Sequence, residues 1–115
     1  MMNVASVDEL KNLWTKVLAG QKIKNSRVFL SNPSFAYLYA KYIRKKKWSE
    51  QDEFIFYQDL KCAYLYCVFT DDKISDHLHN FFIAKKLGQN TDEENRWIDQ
   101  YFDWIEKKNK CRKKY

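Results

Sequence analysis

Apolar residues recur with the spacing of an α-helix in several separate segments of this chain. From Leu10 to Leu18, and again from Phe35 to Ile43, they occupy positions i, i+3, i+4, i+7 and i+8, which lie on one helix face. The 115 residues include only two glycines and one proline. Sandwiches and barrels with many strands use these residues at their turns, so their scarcity argues against such folds. The sequence therefore predicts an all-α protein.

Local signals predict where the first and last helices begin and where the first one ends. Ser6 is followed three residues later by Glu9, and Thr91 is followed by Glu94 at the same spacing. This is the pattern of a capping box, in which each residue satisfies a free backbone N–H group of the other. Gly20 follows the first apolar stripe, at the position where a helix often ends in a left-handed turn.

The middle of the chain carries two further helix starts. Residues 31–33 read Ser-Asn-Pro, and proline fits the first turn of a helix because its missing N–H group is not needed there. Ser49 is expected to cap the next helix, with Glu50, Asp52 and Glu53 placed favourably at its positive N-terminal end. That helix is predicted to run without a break into residues 54–69.

Residues 54–69 carry apolar side chains on every side, which is typical of a central, buried helix. Residues 63–69 also have the composition of a strand, but the helical interpretation is favoured because the segment follows a capped start and has no partner strand nearby. Residues 70–72, Thr-Asp-Asp, are expected to open a fourth helix that ends at Gly88.

These signals predict a compact, single-domain bundle of about five helices joined by short loops. The domain is assigned to residues 1–110, and residues 111–115 are assigned to a basic, flexible C-terminal tail. Residues 21–32 fit either a short helix or an extended segment, and that choice stays open.

Positive charge is concentrated in two places. The chain has a formal net charge of +6, and two segments, 41–47 and 107–114, hold eleven basic residues and no acidic one. The rest of the chain therefore carries −5, so the two segments make an otherwise acidic protein basic. Clustered cations attract a phosphate backbone through counterion release, without base-specific geometry. Lysine at a helix C-terminus is also favoured by the helix dipole alone, which is the competing explanation.

This sequence lacks the common short motifs of catalytic and metal-binding sites. There is no phosphate-binding glycine loop, no nucleophile elbow, and no paired Cys or His spacing of a zinc site. His77 and His79 lie two residues apart on different helix faces, so a metal site at these residues is the weaker interpretation. Cys62 and Cys67 stand in the most apolar segment and are interpreted as buried, reduced thiols. No enzymatic activity, catalytic residue, cofactor or metal is predicted.

The function predicted from these features is binding rather than catalysis. The protein is expected to contact a polyanionic partner, either nucleic acid or a nucleoprotein complex, through its two basic segments. No segment is long and apolar enough to span a membrane, no signal peptide is recognised, and a cytoplasmic location is expected. The oligomeric state stays open. The predicted contact residues are Lys41, Arg44, Lys45, Lys46, Lys47, Lys107, Lys108, Lys110, Arg112, Lys113 and Lys114.

The alternative is a small inhibitor that occupies the surface of one dedicated protein partner, such as a toxin-immunity protein or a phage-encoded inhibitor of a host defence system. In that case the lysines serve solubility and exposed aromatic residues make the contact, because aromatic side chains provide a large contact area at low entropic cost. Tyr37 and Tyr66 fall off the main apolar stripes and are the predicted protein-binding residues.

Overall fold

A computed structural model describes residues 6–23 and 25–112, and within these residues the chain is helical and contains no strand. The all-α prediction is confirmed, but the described residues form seven continuous helical segments rather than about five. The α-helices are α1 (Val7–Leu18), α2 (Pro33–Tyr39), α3 (Leu60–Thr70), α4 (Asp76–Leu87) and α5 (Asp92–Arg112). Two short helical pieces stand alone, the 3₁₀ turns Ser26–Ser31 and Asp52–Gln58. Two others continue an α-helix: the π-helical turn Ala40–Arg44 follows α2, and the 3₁₀ turn Asp71–Lys73 follows α3.

The predicted helix caps are largely confirmed. The Ser6 side chain accepts a hydrogen bond from the backbone N–H of Glu9, although its own hydroxyl, rather than its backbone N–H, meets the Glu9 carboxylate. Thr91 and Glu94 form the complete reciprocal box. Gly20 has a φ of +84°, which is the left-handed conformation predicted for the end of α1.

The segment that the sequence left open contains the 3₁₀ turn Ser26–Ser31. Asn32 separates this turn from α2, and its side-chain oxygen accepts hydrogen bonds from the backbone N–H groups of Ser34 and Phe35. Pro33 occupies the first position of α2, as predicted. The two helical pieces are therefore separated by one extended residue that caps the second.

The single helix predicted from Ser49 through residue 69 is wrong. The chain forms the 3₁₀ turn Asp52–Gln58, becomes extended at Asp59 with a φ of −153°, and only then enters α3. The Asp59 side chain accepts a hydrogen bond from the backbone N–H of Cys62 at 3.1 Å, so a fresh N-cap starts the second piece.

The predicted start of the fourth helix at residues 70–72 is also wrong. Thr70 is the last residue of α3, and the following turn passes through Asp71 at a φ of +52°. Helix α4 begins later, at Asp76, behind the buried Ser75. The predicted end at Gly88 is confirmed.

Helix α3 lies at the centre of the fold and packs against α2 and α5. Its residues Ala63, Tyr66 and Cys67 are completely buried. The ring of Phe82 on α4 stacks on Tyr101 of α5 at 3.9 Å between centroids. Full burial of one such apolar side chain contributes roughly 1.5–3 kcal/mol to folding. One continuous buried cluster extends from Ala36 to Tyr101.

Helix α5 is the longest element and continues to Arg112, two residues beyond the predicted boundary between domain and tail at residue 110. Residues 113–115, the remainder of that predicted tail, lie outside the described residues. In the described part of the chain, no helix combines the length and the apolar character needed to cross a membrane.

Candidate functional site

The first basic segment forms the C-terminal end of the α2 helix and the loop after it. The π-helical turn Ala40–Arg44 ends at Lys45, which adopts the left-handed conformation with a φ of 58°. Lys41, Lys45 and Lys46 are exposed. The Lys41 ammonium donates a hydrogen bond to the Tyr37 hydroxyl at 3.2 Å, and this bond raises the pKa of Lys41 above its ordinary value.

The other two basic residues of this segment are turned toward the protein. The Arg44 guanidinium lies 4.4 Å from the ring centre of Trp48 and donates to the backbone oxygen of Lys47. The Lys47 ammonium donates to the Ser75 hydroxyl at 2.6 Å and to the backbone oxygen of Lys73 at 3.1 Å. Both cations therefore have internal structural partners, in contrast to Lys45 and Lys46, for which no ion pair occurs among the described residues.

A buried carboxyl group lies directly behind Lys47. Glu53 has no exposed surface, and its oxygen Oε2 accepts a hydrogen bond from the Tyr66 hydroxyl at 2.6 Å. The same oxygen lies 3.9 Å from Lys47 Nζ. The Tyr66 hydroxyl in turn accepts a hydrogen bond from the backbone N–H of Trp48. Burial and the Glu53 charge both raise the pKa of Tyr66, so this phenol stays protonated and remains a donor.

The second oxygen of Glu53 contacts a histidine that sequence reasoning considered only as a metal ligand. Oε1 lies 2.9 Å from Nε2 of His77, and Nδ1 on the other side of that ring lies 2.9 Å from the Tyr57 hydroxyl. An ionised carboxylate accepts the hydrogen bond from Nε2–H, and the Tyr57 hydroxyl also donates to the backbone oxygen of His77 at 3.3 Å. His77 is thereby held in one orientation by two hydrogen bonds.

Aromatic rings surround His77 at the surface. Phe54 lies 4.9 Å from the His77 ring and 5.2 Å from Tyr57, measured between ring centroids. Tyr57 stacks on Phe81 at 4.4 Å, with only 3° between the two planes. We call this cluster of Phe54, Tyr57, His77 and Phe81 the aromatic platform. Phe54 is its outermost ring, with 51% of its surface exposed.

The platform and the basic segment meet at Glu53, because Lys47 and His77 contact the two oxygens of this one carboxyl group. The bond from Lys47 to the backbone oxygen of Lys73 also places the Asp71–Lys73 turn, with its exposed lysine, beside Lys47. We call the exposed residues Lys41, Lys45, Lys46 and Lys73 the lysine face. Lys73 was missed by the sequence analysis, since it lies 26 positions from Lys47 and carries no local signal.

The second basic segment is arranged differently. On α5, Lys107 pairs with Asp103 at 3.0 Å and Lys110 with Glu106 at 3.2 Å, both one helical turn away. Lys108 reaches Asp71 at 2.8 Å. Acidic residues of the body thus stand next to these lysines and offset part of their positive charge. The side chain of Arg112 and the residues Lys113 and Lys114 fall outside what the structure describes.

The two predicted protein-binding tyrosines have different environments. The expectation that Tyr66 faces outward is wrong: the side chain is completely buried, because its hydroxyl is needed to bridge Glu53 and the Trp48 backbone. Tyr37 is half-buried, and its hydroxyl is occupied by Lys41. The exposed aromatic residues are instead found at positions such as Phe54 and Tyr57.

The remaining candidate residues either lie in the core or make hydrogen bonds within the fold. Cys62 and Cys67 are free thiols in the core, and burial raises the pKa of Cys67 to about 12, far from the lowered values of reactive thiols. His79 is bonded to the Tyr101 hydroxyl at 2.7 Å rather than to His77 or a thiol. Within residues 6–23 and 25–112, no group of three or more metal-ligating side chains converges.

No protein-family model matches this chain, and comparisons with curated proteins and with solved structures found no significant match. The function is therefore inferred from the residues of the chain itself.

Proposed function

We propose that this protein binds a polyanion, with nucleic acid or a nucleoprotein complex as the partner, and acts by occupying it rather than by catalysis. The observation that carries this proposal is the lysine face: Lys45 and Lys46 are exposed in the loop after the π-helical turn, and Lys41 is exposed within that turn. The exposed Lys73 belongs to the turn whose backbone binds Lys47. Clustered cations of this kind release counterions from a phosphate backbone on binding.

The backbone of Lys45 supports a functional use of this loop. A left-handed conformation is unfavourable for a residue with a side chain, and helices commonly place glycine or asparagine at this position. Here the position carries a lysine with no ion-pair partner among the described residues. A strained, exposed residue without an ion-pair partner in the described part of the chain is what a binding role, rather than a structural one, leads us to expect.

The internal contacts divide the predicted binding residues into two groups. Lys47 and Arg44 stabilise the loop from behind through Ser75, Trp48 and Glu53, so their contribution to binding is positional. The lysines of α5 stand beside carboxylates and supply a weaker positive field. The proposal therefore assigns the main phosphate contacts to the lysine face and a secondary role to α5.

The test compares two charge-matched double variants by fluorescence anisotropy with labelled single- and double-stranded oligonucleotides over a salt series. Lys45→Glu/Lys46→Glu is expected to weaken binding more than tenfold, because it reverses two phosphate contacts. Lys11→Glu/Lys16→Glu changes the net charge equally on the exposed face of α1 and is expected to weaken binding much less. Equal losses in the two variants, or no binding by the wild type at physiological salt, contradict the proposal.

Binding to one dedicated protein partner remains the alternative function predicted from the sequence. The wild type and the Lys45→Glu/Lys46→Glu variant also test this alternative. A pull-down from a lysate treated with nuclease and washed at high salt removes contacts made through nucleic acid, since these weaken steeply with salt. One polypeptide retained after both treatments, and retained equally by Lys45→Glu/Lys46→Glu, supports the inhibitor alternative instead.

A further inference from the structure

We propose that Phe54 is a base-stacking residue, and that the polyanion bound at the lysine face is single-stranded nucleic acid. This inference rests on the proposed function, which supplies the phosphate contacts. It adds a second contact class, in which an unpaired base lies on the aromatic platform while the neighbouring phosphates lie along the lysines.

The exposure of Phe54 is the first observation. Phe54 is 51% exposed, and among the aromatic residues in the described part of the chain only Tyr42, at 53%, is more exposed. The adjacent residues Glu53 and Phe56 are completely buried in the same 3₁₀ turn. The same turn therefore buries two large side chains and directs the Phe54 ring outward.

The second observation is that the ring of Phe54 packs against two other rings of the platform. Tyr57 and His77 contact it at 5.2 and 4.9 Å between centroids. Tyr57 is itself fixed by stacking on Phe81 and by its hydrogen bond to His77 Nδ1. A rigid exposed ring loses little conformational freedom when a base stacks on it, and base–aromatic stacking does not require a particular sequence.

Charge complementarity selects the ligand. Glu53 connects the platform to Lys47, and Lys45 and Lys46 are exposed in the loop directly before Lys47. The backbone of a strand lying on Phe54 is therefore expected to meet lysines on the side of Lys47. Tyr57 also borders a cleft of about 270 Å³ whose lining includes the acidic residues Asp59, Glu93 and Glu94 besides Lys61 and Lys85. The strand is therefore expected to run from the platform toward the lysine face and to avoid the cleft.

Single strands fit this arrangement better than duplexes. In a duplex the bases are stacked on each other and their faces cannot reach an external ring, whereas single-strand binding proteins combine a positive groove with exposed aromatic residues. A duplex can use only the lysine face, so it is expected to bind more weakly than a single strand of the same length.

The experiment separates stacking from phosphate binding with two probes. One is an oligothymidylate of about 15 nucleotides, near the upper end of known site sizes, and the other is an abasic deoxyribose-phosphate oligomer of equal length. The wild type is expected to bind the oligothymidylate about 5- to 150-fold more tightly than the abasic oligomer, the range that one stacked base contributes. Phe54→Ala is expected to bind both probes with the weaker affinity.

Three variants distinguish an aromatic face from a merely apolar one. Phe54→Trp keeps a ring and is expected to retain or increase the preference for the oligothymidylate, whereas Phe54→Leu keeps apolar bulk and is expected to lose it. Leu87→Ala removes another highly exposed apolar side chain, 83% exposed at the end of α4, and is expected to leave both affinities unchanged.

The outcomes separate this inference from the proposed function. Equal binding of both probes by the wild type, unchanged in Phe54→Ala, overturns base stacking and leaves phosphate binding at the lysine face intact. Failure to bind either probe overturns both. A third outcome is that the wild type and Phe54→Leu, but not Phe54→Ala, capture one polypeptide from nuclease-treated lysate, while the wild type shows no preference between the two oligomers. This outcome identifies the platform as a protein contact and also overturns the inference.

Discussion

Glu53 Oε1 and His77 Nε2 lie 2.9 Å apart and join the 3₁₀ turn Asp52–Gln58 to the first turn of α4 across 24 positions of sequence. The carboxyl group is completely buried, yet it has donors on both oxygens. Because Lys47 and His77 meet at this group, it links the basic loop to the aromatic platform. Both proposed contact surfaces therefore depend on one acidic residue that touches no ligand.

Replacing this carboxyl group by an amide is the first test of that dependence. Glu53→Gln keeps the side-chain size but removes the negative charge that Lys47 and His77 face, and its NH₂ group cannot accept a hydrogen bond from a neighbouring donor. Breaking a buried charged contact of this kind costs about 3 kcal/mol in the free energy of unfolding. Urea denaturation at neutral pH measures the loss.

The matched control is Glu50→Gln. Glu50 is exposed and lies three positions earlier in the same segment, so the same chemical change is expected to alter the free energy of unfolding by less than about 0.5 kcal/mol. Equal effects of the two substitutions contradict a structural role for the Glu53 network.

The sequence did not predict the role of Glu53, and the reason is physical. Beside Ser49 and Asp52 it has the spacing of an acidic residue at a helix N-terminus, and that local interpretation ignores where the side chain points. Its true partners lie 13 and 24 positions away, at Tyr66 and His77. Only tertiary structure brings them together, so no local pattern carries the signal.

Features set by neighbouring residues were predicted well. The caps at Ser6 and Thr91 and the left-handed Gly20 depend on contacts within a few positions, and the structure confirms them. The break at Asp59 is also local, since its side chain caps α3. It was missed because the apolar composition on both sides resembled one continuous buried helix.

The two groups of lysines are expected to respond differently to neutralisation. Lys47→Gln removes hydrogen bonds to Ser75 and to the Lys73 backbone and is expected to lower the free energy of unfolding by about 1–2 kcal/mol. Lys45→Gln/Lys46→Gln is expected to leave stability within about 0.5 kcal/mol of the wild type. The same double variant is expected to reduce the slope of log affinity against log salt by about 1.4 for a single strand.

Urea denaturation and oligonucleotide anisotropy on the two variants check this contrast. The opposite pattern, in which Lys47→Gln is neutral for folding and Lys45→Gln/Lys46→Gln destabilises the protein, shows that the internal and external roles have been assigned to the wrong lysines.

The buried thiol of Cys67 makes stability depend on alkaline pH. Burial and the charge of Glu53 raise its pKa from 9.0 to about 12 in the folded protein. Above pH 9 the unfolded chain therefore loses this proton before the folded one does, and stability falls as the pH rises toward 12. One such group contributes a slope of about 1.4 kcal/mol per pH unit.

Urea midpoints between pH 7 and pH 11 test this for the wild type and Cys67→Ala. The substitution is expected to destabilise the protein at pH 7, because it removes buried volume, but to make the decline above pH 9 shallower. Tyr66 and Tyr101, whose pKa values are also raised by burial, maintain part of the decline in both proteins at the highest pH. Parallel curves for the two proteins show that Cys67 does not titrate as described.

The conformation of Lys45 predicts that stability and binding change in opposite directions at this residue. Lys45→Gly relieves the left-handed strain at a φ of 58° and is expected to raise the free energy of unfolding by about 0.5–1 kcal/mol. Lys46 does not have a positive φ, so Lys46→Gly is expected to lower stability by a similar amount. Each variant removes one phosphate contact and is expected to reduce the salt slope by about 0.7 for a single strand. Thermal unfolding and anisotropy measure the two effects separately, and a more stable Lys45→Gly variant with unchanged affinity places this lysine outside the interface.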